Sequence, residues 1–193
     1  KLFSADPLVN KTYEYSTHGY TCAAAALEKK TGKTFSKLLQ EEISTPFDVT
    51  TLRCENLAVN YDDRSKIYSA SNNGTFSEIT PKSLSWKFAG GGMESSATDL
   101  ARFGIRLLKG DIISNASLTT MTTAPDNAKS YGYGWDLGTE DGTKVFAKGG
   151  AQPGSRAYMR CYPEKKIVIV LLCNTRGDGV TDLGRAIGKE LLD

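Results

Sequence analysis

Histidine is almost absent from this chain and cysteine is sparse, with one and four in 193 residues. Cys22, Cys54, Cys161 and Cys173 have no metal-type spacing, so the sequence calls for no metal, and reduced thiols and a disulfide framework both stay open at this length. A long apolar run is also missing. The longest, Ile167 to Cys173, is far short of the ~20 residues of a membrane helix and fits a buried strand. Charge of one sign never accumulates: 24 basic and 22 acidic residues are mixed along the chain, for a net charge of +2 and a pI near 8.3. Without a basic stripe to track phosphates, nucleic acid is disfavoured as a partner. Internal repeats and low-complexity tracts are lacking. The first residue is Lys1 and no signal peptide is in view, so the compartment is not read from the start of the chain. Sequons beginning at Asn10, Asn73 and Asn115 lean slightly toward a secretory or organellar route.

What is present suits one globular domain, long enough to bury roughly 70% of its unfolded surface. Residues 18–31 carry Ala23 to Leu27 on a helix-forming stretch closed by Thr31-Gly32, and a second helix is predicted at about 34–44, ended by Pro46. Residues 46–90 alternate polar turns with short extended pieces and read as a lid or cap. Ala89-Gly-Gly-Gly-Met93 is a tight backbone passage. Ser95-Ser96-Ala97-Thr98-Asp99 then starts a helix whose Leu100, Phe103, Leu107 and Leu108 repeat at helical spacing. From Tyr131 the period becomes that of strands: Tyr131–Trp135, Val145–Ala147, Arg156–Cys161 and Ile167–Cys173 predict a meander, with Pro163 to Lys166 turning the last hairpin. Gly179 to Leu192 completes the chain as a helix across that sheet. The class is α+β, with a helical, loop-rich region over about 1–130 and antiparallel strands with a terminal helix over about 131–193.

Tyr15-Ser16-Thr17, within Tyr13-Glu-Tyr-Ser-Thr-His-Gly-Tyr20, and Lys148-Gly149-Gly150 are the segments that carry chemistry. Together with Asp6-Pro7-Leu8, Gly90 to Phe103, Tyr131 to Trp135 and Lys148 to Gly154, they resemble the serine β-lactamase-like family of class C β-lactamases, D-alanyl-D-alanine peptidases, esterases and the lactamase-like proteins of animal mitochondria. The Tyr-Ser-Thr form and the preceding Asp-Pro-Leu look most like the last group. The resemblance runs from residue 3 to the C-terminus and implies the later portion of a β-lactamase/penicillin-binding-protein fold. No serine stands three places before any lysine. The resemblance therefore implies that the first strands and the Ser-x-x-Lys helix come from a preceding segment or a companion chain, and that these 193 residues neither fold nor act alone.

In such a hydrolase a serine hydroxyl needs a proton acceptor, and a phenolate serves if adjacent cations lower its pKa from about 10. The resemblance implies Tyr15 as general base and Lys148 as the cation that favours its phenolate and holds an anionic substrate end. Ala151 matches the edge-strand oxyanion donor, and Gly149 and Gly150 clear side chains from the strand along which substrate lies. Thr17 stands where class C enzymes carry an asparagine, and Gly149 replaces a threonine that helps bind a carboxylate. Both departures favour a small ester, amide or peptide over an antibiotic. No cofactor is implied. The rival is a non-catalytic binding or assembly protein that kept the fold.

Other features read as structural. His18 has no Asp/Ser arrangement around it and suits an exposed first helical turn. Thr34-x-x-Lys37 imitates a nucleophile motif on a helix with an ordinary apolar face. Gly90-Gly91-Gly92 lacks the Gly-Lys-Ser/Thr of a phosphate loop and suits a turn at the floor of the site. A hairpin turning between Glu164 and Lys165 pairs position 161 with 168 and 173 with 156, which keeps Cys161 and Cys173 apart.

Overall fold

The computed structural model describes residues 13–71, 73–125, 128, 130–176 and 179–192. Asp6-Pro7-Leu8 and the sequon at Asn10 lie outside the described residues. Helix α1 (Thr17–Thr31) begins at Ser16, whose hydroxyl accepts the Gly19 N–H, and ends at Gly32, which takes the left-handed φ of 69°. Helix α2 (Phe35–Leu39) continues into a π-helical turn (Gln40–Ser44) before Pro46. Thr34 is the cap of α2, its hydroxyl accepting the Lys37 N–H, and Lys37 faces Glu41, so the Thr-x-x-Lys lookalike is a helix start.

The lid region holds short pairs: β1 (Arg53–Cys54) with β4 (Met93–Glu94), and the hairpin β2 (Ile67–Ala70) with β3 (Phe76–Ile79). Between them lie a 3-10 turn (Ser85–Lys87) and α3 (Phe88–Gly91). Polar contacts hold this low-apolar segment in place. Glu94 accepts from Arg53 and Arg64, both guanidinium groups stack on Tyr61, and buried Asp99 accepts the N–H and hydroxyl of Thr51. The β2–β3 hairpin is seated on the turn at Gly154, where an added Cβ would come within 3.0 Å of both Ile67 and Ile79.

Helix α4 (Ala97–Lys109) lays its apolar stripe toward the sheet, and α5 (Asn115–Met121), which the sequence reading passes over, follows with Ser114 as cap. The sheet is β5 (Asp136–Glu140), β6 (Thr143–Gln152), β7 (Ser155–Tyr162) and β8 (Ile167–Cys173), antiparallel and in chain order. Its last hairpin has the register expected, Cys161 opposite Val168 and Cys173 opposite Arg156, and all four cysteines are free. The first expected strand is corrected: Tyr131–Trp135 is a tight loop in which Gly132 N–H bonds the Trp135 carbonyl and Gly134 has φ 89°, and the strand starts at Asp136. The aromatic-glycine alternation imitates a strand period, but its glycines supply turn geometry and a close approach to the Met121 carbonyl.

One face of the sheet packs Phe146, Met159 and Cys161 against Leu107, Leu118 and Trp135, with Trp135 edge-on to Phe146 at 4.8 Å. The other face meets α6 (Val180–Leu192), which rests Gly184 and Gly188 on Tyr158 and Tyr162. Strand β7 is therefore covered on both sides, and its residues 158–162 are all buried.

Candidate active site

The start of α1, the Gly90–Gly92 turn, the Tyr131–Trp135 loop and the second half of β6 converge. Gly90 allows the first two: a Cβ there would stand 2.7 Å from Thr17 Cγ2 and 2.9 Å from its carbonyl. Gly91, at φ 136°, lies next to the Gln152 side chain at the end of β6. The Tyr20 hydroxyl reaches the loop where Gly134 leaves room, since a Cβ there would meet it at 3.3 Å. Three segments far apart in sequence thus meet through contacts that a side chain at Gly90 or Gly134 would obstruct.

Lys148 stands at the centre. Its ammonium is 4.8 Å from the Tyr15 ring centroid, 4.6 Å from that of Tyr131 and 3.6 Å from Asp136 Oδ2. Tyr15 meets Tyr131 edge-on at 6.0 Å, and Tyr13 lies against Tyr131 at 5.2 Å. Cation and aromatic faces attract through the ring quadrupole, which holds the flexible lysine stem in one orientation. Burial, reinforced by the neighbouring phenols Tyr13 and Tyr15, pushes Tyr131 up to about 12, while the hydroxyl of Tyr20 acts the other way. Tyr131 is thus a neutral phenol throughout the physiological range. Tyr13 and Tyr20 are also raised, first by burial, with Lys148 opposing.

Strand β5 pairs with β6 only as far as Ala147, opposite Asp136. From Lys148 to Gln152, β6 is partnered by β7 alone among the described residues, so its other edge is open. Successive N–H groups of a strand point to opposite edges, so one of each consecutive pair among Gly149, Gly150 and Ala151 faces that open side. Gly149 and Gly150 have no side-chain obstruction, and Ala151 is exposed. Tyr15 is 57% exposed.

The structure brings Tyr15 to Lys148, which Gly149, Gly150 and Ala151 follow on β6, and sets Thr17 against Gly90. His18 faces Trp86 at 5.8 Å. Sequence reasoning missed Asp136 and the inward role of Tyr131. The available signal is the Tyr-Gly-Tyr-Gly-Trp-Asp run, whose glycines mark a turn that delivers two polar groups. Among the described residues no group of three or more His, Cys, Asp and Glu side chains could hold a metal ion, and no helix is long and apolar enough to cross a membrane.

Comparison with known proteins shows the family and the fold. The family model described as Beta-lactamase matches residues 2–192. The mitochondrial serine beta-lactamase-like protein LACTB of Mus musculus is 34% identical over 113 residues, 57% of this chain and 20% of that protein. Among solved structures, the octameric penicillin-binding protein homologue from Pyrococcus abyssi superposes with a TM-score of 0.80 at 23% identity, over 94% of this chain and 43% of that one. The D-amino acid amidase from Ochrobactrum anthropi complexed with L-phenylalanine amide gives 0.74 at 22% identity, over 92% and 57%. The chain thus spans about a fifth of the length of the curated relative, and the structural likenesses, at these identities, speak for the fold.

Proposed function

The chain belongs to the β-lactamase family, and from that premise we propose that it supplies the later part of a serine hydrolase acting through an acyl-enzyme on an ester or amide. The observation that carries this reading is the Lys148 ammonium held against the Tyr15 ring at the open edge of β6. A segment outside these residues supplies the Ser-x-x-Lys pair. Tyr15, as phenolate, takes the serine proton while the serine oxygen bonds the acyl carbon. Two N–H groups, the serine's own and one at Ala151, receive the developing oxyanion. The leaving group departs with the proton from Tyr15, and a water, deprotonated the same way, releases the acid.

Thr17 and Gly149 support a small ester, amide or peptide as substrate rather than an antibiotic. The mitochondrial setting named for LACTB supports an organellar one here. The test is Tyr15→Phe in the full-length protein, with a p-nitrophenyl ester as substrate. Loss of the base lowers kcat by about a hundredfold or more with the fold retained. A variant with near-normal kcat removes Tyr15 from the mechanism and with it this reading.

A further inference from the structure

We propose that Asp136 sets the charge selectivity of this site, making it a site for uncharged esters and amides and turning away acyl groups that carry a carboxylate. The inference rests on the hydrolase reading and refines its substrate class. It departs from the anion-holding role that family resemblance implies for Lys148.

Three observations carry it. The only cation placed against the Tyr15 and Tyr131 rings among the described contacts is Lys148, and its ammonium already has a carboxylate, Asp136 Oδ2, at 3.6 Å. Asp136 is the first residue of β5 and lies opposite Ala147, the residue before Lys148, so the ladder fixes its backbone close to that of the lysine. The other contacts of the ammonium among the described residues are the faces of Tyr15 and Tyr131, and Gly149 beside it has no hydroxyl with which to bind a carboxylate. A substrate carboxylate brought to Lys148 would therefore share one cation with Asp136, and two like charges within about 4–6 Å disfavour one another. A neutral chain pays no such penalty and gains contact with the rings. Asp136 is 59% exposed, so the discrimination is screened by water and is of a severalfold size.

The experiment uses the full-length protein and a near-isosteric pair of esters, p-nitrophenyl butyrate and the mono-p-nitrophenyl ester of succinic acid. The native protein prefers the butyrate. Asp136→Asn raises the succinyl-to-butyryl ratio of kcat/KM by about fivefold, mainly through KM, and the gain shrinks near 1 M salt, where the screening length falls to about 3 Å. A native preference for the succinyl ester, or a ratio unchanged by Asp136→Asn, overturns the inference while leaving the hydrolase reading intact. Should neither ester be hydrolysed, the hydrolase reading fails, and binding of butyramide and succinamate, followed by NMR shift titration, decides the charge question. Tighter binding of butyramide that reverses in Asp136→Asn upholds it, and an unreversed order overturns it.

Discussion

Replacing Gly188 by alanine should destabilise the protein, against the ordinary preference of helices. In a solvated helix interior Gly→Ala gains about 1 kcal/mol from propensity. Here the new Cβ would stand 2.1 Å from the Tyr162 hydroxyl, 3.0 Å from its Cζ and 3.2 Å from Cε2. Tyr162 cannot swing away. It is fully buried, and its hydroxyl accepts from Arg160 Nε at 2.7 Å and donates to Glu140. Either α6 lifts by more than an ångström, an overpacking cost of about 1–3 kcal/mol, or the hydroxyl leaves a buried arginine short of a partner, which costs about the same. Subtracting the propensity gain leaves a net loss of about 1 kcal/mol. In urea unfolding of the full-length protein this lowers the midpoint by about 0.5 M at unchanged slope, taking a slope of about 2 kcal/mol per M. Ala186→Gly, on the exposed side of α6, calibrates propensity alone and should cost about 1 kcal/mol. A Gly188→Ala midpoint at or above the native one would refute the packing argument for the glycine stripe.

Two further outcomes test the buried groups. Burial pushes the Cys161 thiol up to about 12, so in native protein at pH 8 iodoacetamide should label exposed Cys22 and spare Cys161; equal labelling contradicts that burial, and a Cys161–Cys173 peptide in a non-reduced digest contradicts the hairpin. Tyr131, raised to about 12 from an ordinary value near 10, holds its proton more tightly folded than unfolded, so stability present below pH 10 should drain away between about pH 10 and 12. Tyr131→Phe should flatten the loss of unfolding free energy across that window, and an unchanged profile would show that this hydroxyl does not carry it.

Local pattern was enough for the elements that are complete in themselves. Helix α1 follows from an alanine-rich run between Ser16 and Gly32, α4 from Leu100, Phe103, Leu107 and Leu108 repeating at helical spacing, and the β7–β8 register from one four-residue turn. The Tyr-Ser-Thr and Lys-Gly-Gly segments were legible for the same reason, as short runs of defined residue type. Tertiary structure decided what depends on meetings across the chain. Tyr131–Trp135 alternates like a strand yet turns, because Gly132 has to pass against the Met121 carbonyl and Gly134 has to admit Tyr20. Asp136 looks like any polar strand residue until the β5–β6 ladder sets it opposite Ala147, beside Lys148. Period and propensity report which face of one element is apolar. They carry no record of which distant carboxylate or ring will come to lie against a lysine, since that is fixed only when the sheet closes and its neighbours pack.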